Sequence, residues 1–281
     1  YDVNIFCLNQ MPPADPGYGP GDDSEIEGTP DTDEANFIYE TYPDGTLQVT
    51  GYRGSSARVV IPQRIGGIKV AAVGIPTQFT VEENNGWQGV KEITLPSSLE
   101  YIGYGAFAGE TSLRRVVFPE DSQVWMVGDR AFEGCTNLNE ITLPDSVWML
   151  GEDIFTGTAF YNNSRNWENG ALYNGNHLIS VQAGFSGVCT VREGTISLAD
   201  NCFLGCTGLM GANLPQGLVY LGDNSFQGTG IQQIAIPKSV TYLGIEAFAD
   251  CPNLVLVRVE NPDAEYYDDS CFRNSPNVSL S

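Results

Sequence analysis

Chemistry in this chain would have to begin at very few residues. His177 is the only histidine among 281 residues, and it lies in "YNGNHLIS". A nucleophile activated by it would need a Ser or Cys held within hydrogen-bond reach. No G-x-S-x-G elbow, Walker loop, H-E-x-x-H or Cys-x-x-Cys pair accompanies it. His177 therefore reads as a structural, strand-edge histidine. Asp and Glu together number 35, yet no motif places two of them as the acid and base of a glycosidase. Asp22, Asp23, Asp31, Asp33 and Glu34 cluster near the start. They lack the D-x-[DN]-x-[DN]-G spacing that positions calcium ligands, so they read as a solvated acidic segment. No catalytic residue, cofactor or metal is expected. A hydrolase built on His177 is the remote alternative.

Residues suited to recognition are more plentiful, and they recur. Glu100-Tyr101, Trp125-Met126, Trp148-Met149, Val219-Tyr220 and Thr241-Tyr242 occupy one repeated position. Aromatic rings give large contact area at low entropy cost, with polar tips. Tyr101, Trp125, Met126, Trp148, Met149, Tyr220 and Tyr242 are accordingly expected to form a partly exposed ligand-binding stripe. The competing reading is cross-strand packing that only stabilises a sheet.

Those positions belong to a repeat. "FEGCTNLNEITLPDSVWMLG" (132–151) and "FLGCTGLMGANLPQGLVYLG" (203–222) keep Phe, Gly, Cys, Leu, Leu, Pro, Leu and Gly at the same offsets. A Gly-x-x-x-Phe signature ends at Phe107, Phe132, Phe155, Phe226 and Phe248, with degenerate copies ending at Phe203 and Phe272. Spacing in the low twenties marks a solenoid, and the 48 residues from Phe155 to Phe203 are two periods with one imperfect copy. In each period "LNEITLP" reads as a short half-buried strand stopped by proline. "SVWMLG" reads as a second strand that must contain a bulge, because its apolar residues do not alternate cleanly. The Gly-x-x-x-Phe segment reads as a single helical or 3₁₀ turn that drops its Phe into the core. With strands about 4.8 Å apart, nine or ten coils would make a rod roughly 45 Å long.

These residues resemble a known family. "VGDRAFEGCTNLNEITLPDSV" (127–147) matches the BspA-type, or Treponema pallidum type, leucine-rich repeat almost letter for letter. Residues 37–74 resemble the atypical first unit of such arrays, and residues 160–181 resemble a recurrent hairpin insertion, with its turn expected near Asn174-Gly175. The resemblance implies a β-rich α/β solenoid, a right-handed leucine-rich-repeat superhelix, over 37–281. It also implies a secreted or surface-attached bacterial protein that adheres to, or recognises, a host or matrix protein or glycan. The alternative is a module that targets a larger secreted enzyme or assembly. By analogy with leucine-rich repeats, the outward positions of the main ladder would line a concave ligand face. Its candidates are Arg115, Glu140, Gln233, Leu256 and Arg258, alongside the variable residues Lys91, Glu92, Thr94, Arg114, Val117, Asn139, Thr142, Met210, Gly211, Asn213, Gln232, Ala235 and Val255.

Charge narrows the partners. Lys plus Arg number 13, so the formal net charge is −22. Such a field repels phosphate backbones and anionic lipid surfaces. No apolar run is long enough to span a bilayer, so neither nucleic acid nor membrane insertion is expected, and a monomer is favoured. The chain begins at Tyr1 rather than Met, which suits either a trimmed chain or a mature secreted protein. Residues 1–36 read as a separate acidic, Pro/Gly-rich segment or linker. Within it, "YDVNIFCLN" fits either a capping strand or the tail of an upstream domain. Of seven cysteines, Cys135, Cys206 and Cys251 share one repeat position, Cys202 and Cys271 another, and Cys7 and Cys189 lie off the pattern. An odd total cannot pair completely, and Cys206 and Cys251 sit two coils apart, about 10 Å, beyond disulfide reach. Free, buried thiols are expected.

Overall fold

The computed structural model describes residues 26–74 and 86–261, with 263, 265–266, 269–275 and 279–280 beyond them. The chain winds into a β-solenoid of about nine turns with almost no helix. Each regular coil lays down two short strands, and like strands of successive coils pair in parallel. The main ladder runs Arg58–Val60, Glu92–Thr94, Arg115–Val117, Glu140–Ile141, and resumes as two separate sheets, Ser186–Thr190 with Gly208–Asn213, then Gln233–Ile236 with Leu256–Val259 and Ser279–Leu280. The second ladder runs Leu47–Tyr52, Ile68–Val73, Tyr101–Ile102, Met126–Val127, Met149–Leu150, and resumes at His177–Val181, Ser197–Leu198, Tyr220–Leu221 and Tyr242–Leu243.

Between the ladders lies the core. Phe107, Phe132, Phe155, Phe203, Phe226 and Phe248 are all fully buried. Their rings stack in two runs. Phe107, Phe132 and Phe155 follow one another at 5.3 and 5.6 Å, and Phe203, Phe226, Phe248 and Phe272 at 4.7, 5.2 and 5.7 Å. Trp87 heads the first run, 5.2 Å from Phe107.

The turn that carries each Phe is held by three-residue backbone bonds, such as Ala131 N to Gly128 O at 3.3 Å and Cys135 N to Phe132 O at 3.1 Å. It does not extend into a helix, because a left-handed residue stands two places before the Phe. Arg130, Asp153, Asn201, Asn224 and Glu246 have φ of 52–59°, which right-handed helical backbone excludes. Three-residue-per-turn helix appears at Glu34–Asn36, Ser164–Asn166 and Asp269–Phe272. In the second ladder Trp148 N and Met149 N share the Trp125 carbonyl, at 3.1 and 3.2 Å. Val124 and Val127 are buried on either side of the outward pair Trp125-Met126.

Side chains fasten coil to coil. The Asp just before the left-handed residue accepts the next coil's N–H: Asp129 from Glu152 at 3.1 Å, Asp200 from Asp223 at 2.7 Å and Asp223 from Ile245 at 2.7 Å. The six described cysteines are free and buried. Cys135 and Cys251 donate to the preceding coil's Phe carbonyl, at 2.9 and 3.1 Å. Burial pushes the Cys135 thiol up to about 12, so it stays protonated and unreactive. Cys7 lies outside the described residues.

The acidic segment docks where it meets the first coil. Asp31 forms a parallel bridge to Val59 and accepts from the Tyr52 hydroxyl at 2.5 Å and the Asn36 amide at 2.8 Å. Asp33 and Glu34 accept from the backbone N–H groups of Ala35 and Gly66. Asp33 and Glu34 stay exposed to solvent, and Asp31 is the half-buried one that joins the first coil. Asp22 and Asp23 lie outside the described residues.

The interval 160–181 leaves the regular coil. A single α-helical turn, Ala159–Asn162, is capped by the Thr158 hydroxyl. The antiparallel hairpin Ala171–Asn174 with His177–Val181 follows. Its loop is Gly175-Asn176, one residue later than expected. Asn174 is paired with His177, and only Gly175 takes positive φ (56°), the signature of a turn with Gly first.

Candidate binding surfaces

Strand register sorts the main ladder's outward residues into columns. Arg58, Glu92, Arg115 and Glu140 stand side by side on four successive strands. They form one alternating ion chain. Arg58 meets Glu92 at 2.9 Å, Arg115 meets Glu92 at 2.9 Å, and Arg115 meets Glu140 at 2.6 Å. Glu92 is buried between its two guanidinium partners. Arg115 and Glu140, two of the sequence candidates, are thus already bonded to each other.

The same columns change character past the hairpin. Val188 lies beside Gly211, and Gln233 beside Leu256. One position earlier, Met210, Gln232 and Val255 follow one another, joined by backbone bonds of 3.2 and 2.9 Å. Val188, Met210 and Val255 are 58%, 54% and 51% exposed. Gln233 and Arg258 are exposed, and Leu256 is half-buried. Val188 was missed in the sequence because its coil lacks the Leu-x-x-Ile-x-Leu-Pro motif. The apolar spacing of "GVCTV" was the available signal.

The aromatic positions come together on the second ladder. Trp125 stacks on Trp148 at 5.5 Å, Trp148 meets Tyr220 edge-on at 6.0 Å, and Tyr220 stacks on Tyr242 at 5.5 Å. Tyr101 instead packs edge-on against Tyr42 at 6.4 Å. Tyr101, Trp125, Met126, Trp148, Met149 and Tyr242 are half-buried. Tyr220 departs from the expected exposure. It is only 2% exposed, and its hydroxyl donates to Asp200 at 3.4 Å. Rings stacked along the ladder spend their faces on one another, leaving edges for solvent.

A family model described as the BspA type leucine rich repeat region matches residues 84–182 and 188–280, in six copies. Those two ranges make up more than half of the chain. The chain belongs to the BspA-type leucine-rich repeat family. Among solved structures, a leucine rich cell surface protein from Faecalibacterium prausnitzii is 25% identical with a TM-score of 0.42. The match covers 84% of this chain and 55% of that one, so this chain spans little more than half the length of that relative. A leucine-rich repeat protein from Bacteroides ovatus is 24% identical over 87% of this chain and 69% of that one, TM-score 0.38. The T. pallidum leucine rich repeat protein is 24% identical over 89% and 80%, TM-score 0.30. No curated protein matches the chain. No helix among the described residues is long and apolar enough to cross a membrane.

In this BspA-type solenoid His177 is a joint. Its ring is fully buried, with Nδ1 2.9 Å from the Ser197 hydroxyl and Nε2 3.2 Å from the Pro144 carbonyl. Desolvation lowers its pKa to about 4, against the opposing pull of the Pro144 carbonyl and Asp145. Unfolded histidine titrates near 6.5, so between those values the unfolded chain binds more protons. Its contribution is therefore present above pH 6.5 and lost as pH falls towards 4. Between pH 7 and pH 4 the wild type should lose roughly 3 kcal/mol relative to His177→Gln. Urea melts of the two proteins at each pH test this, and parallel pH profiles would refute it.

Proposed function

We propose that the chain is a non-catalytic recognition module of a secreted or cell-surface bacterial protein, acting without cofactor or metal. Its contact surface is the part of the main ladder beyond the hairpin, and its partner is a host or matrix protein. One observation carries this reading: Val188, Met210 and Val255 stand exposed among uncharged Gln232 and Gln233, in a molecule of net charge −22. A neutral, partly apolar patch on an otherwise acidic surface suits a protein interface. Gln233, Leu256 and Arg258 belong to it. Arg115 and Glu140, bonded to each other at 2.6 Å, lie on the other side of the hairpin and outside it. The buried, weakly basic His177 supports a role other than catalysis. Residues 1–36 act as an acidic, Pro/Gly-rich linker segment.

The aromatic stripe is a second surface, favoured by the half-buried Trp125 and Trp148. Neither indole N–H has a hydrogen-bond acceptor among the described residues, so both are available to a ligand. Tyr101, Met126, Met149 and Tyr242 extend that edge. Binding to a panel of immobilised matrix proteins separates the two surfaces. Met210→Asp with Val255→Asp should weaken capture at least tenfold while the protein melts normally. A loss confined to Trp125→Ala with Trp148→Ala would move the interface to the stripe, and capture unchanged in both would refute each.

A further inference from the structure

The seam at the hairpin holds a second kind of site. Past Glu140–Ile141 the main ladder gains no further strand. The helical turn Ala159–Asn162 and the turn Ser164–Asn166 fold over its edge instead. Against them lies an open, shallow depression of about 560 Å³. Asn139, Glu140 and Thr142 line one wall, Asn163 and Asn166 the other, and Phe118 lies among them, partly buried.

Two features define what fits there. The first is that the strand edge is closed to a peptide. Phe160 N–H bonds the Leu138 carbonyl at 2.8 Å, while the Asn174 amide takes the Ile141 carbonyl at 3.0 Å and the Leu143 N–H at 2.7 Å. An added strand would find no ladder to join. The second is that the wall side chains keep unspent polar atoms. Asn163 accepts from Arg165 N–H through Oδ1, and Asn166 donates to the Phe160 carbonyl through Nδ2. That leaves Asn163 Nδ2, Asn166 Oδ1, Glu140 Oε1, the Thr142 hydroxyl and the Asn139 amide without a hydrogen-bond partner among the described residues. Donors and acceptors are mixed, and the Glu140 charge is met by Arg115.

We propose that this depression binds the end of a neutral glycan chain. Sugar hydroxyls both donate and accept, which matches such a set, and a C–H face can rest on Phe118. The surrounding negative field turns away sialylated or sulfated chains. The site differs in place and ligand from the protein interface proposed above, so each can fail alone.

A glycan array carrying neutral, sialylated and sulfated oligosaccharides, probed with the whole chain, tests it. Asn139→Ala and Thr142→Val remove no internal hydrogen bond, so a protein carrying both should melt as wild type. We expect neutral glycans to bind, the double variant to lose at least tenfold, and Met210→Asp to bind glycan as wild type. An array without neutral binders, equal binding by the double variant, or preference for anionic glycans or for an extended-peptide library would overturn the proposal.

Discussion

Phe132→Ala is expected to destabilise the chain by about 3–5 kcal/mol, the cost of emptying a packed aromatic site. Its ring is fully buried, 5.3 Å from Phe107 and 5.6 Å from Phe155, with interplanar angles of 6° and 12°. Backbone bonds through Phe107 N to Ala131 O and Phe132 N to Ile154 O, at 2.8 and 3.0 Å, fix the coil spacing on both sides. The neighbours therefore cannot close in, and the cavity persists. In a linear array each coil touches only its neighbours, so the loss should concentrate before the hairpin. Urea titration followed by hydrogen exchange checks both parts. Protection should fall in the coils around Phe132 well before it falls around Phe226. A change below about 1 kcal/mol would mean that the ring column contributes little beyond shape.

Asn174→Ala should cost about 2–6 kcal/mol, more than its size suggests. The side chain is buried, and its amide satisfies two backbone groups of another coil, the Ile141 carbonyl and the Leu143 N–H. Truncation leaves both without partners, and each buried unsatisfied group costs about 1–3 kcal/mol. Asn174→Asp discriminates mechanism from volume. A carboxylate can still accept from Leu143 but faces the Ile141 carbonyl with no donor, so it should be nearly as damaging at neutral pH. Recovery of Asn174→Asp on acidification, read by thermal melts, would mark the lost donor. Equal stability of all three proteins at pH 7 would show that the hairpin tip contributes nothing to the seam.

The regular coils were legible because one residue type repeats at one structural position. Phe132 and Phe226 occupy equivalent places in Gly-x-x-x-Phe, and stacking is the only way such a column buries its rings. The cysteines followed the same logic, since a residue on the inner ladder has no route to a partner two coils away. The seam was harder to read, for it occurs once. Asn174-Gly175 looked like a hairpin loop by local turn chemistry, but the Asn174 amide finds its partners 31–33 residues away. That long-range pairing shifts the loop to Gly175-Asn176. The ion chain lay hidden for a related reason. Arg58 belongs to the atypical first unit, 34 residues from Glu92, so no repeat alignment brings it into the column. Tyr220 misled because its position is outward in other coils, whereas here Trp148 and Tyr242 cover its ring and Asp200 takes its hydroxyl.

Both strand ladders and the phenylalanine column are interrupted at the hairpin: the main ladder between Ile141 and Ser186, the second between Leu150 and His177, and the column between Phe155 and Phe203. Across it the halves share one apolar core, and the hydrogen bonds that tie them are individual ones: Asp200 N to the Leu150 carbonyl, Asn201 to Glu152, Asn176 to Asp145, and the contacts of Asn174 and His177. Pulled lengthwise, an uninterrupted ladder shares load across every rung of a coil, whereas a junction of separate bonds parts one by one. The rod would yield first at this joint, lengthening by the hairpin while both stacked halves stay wound.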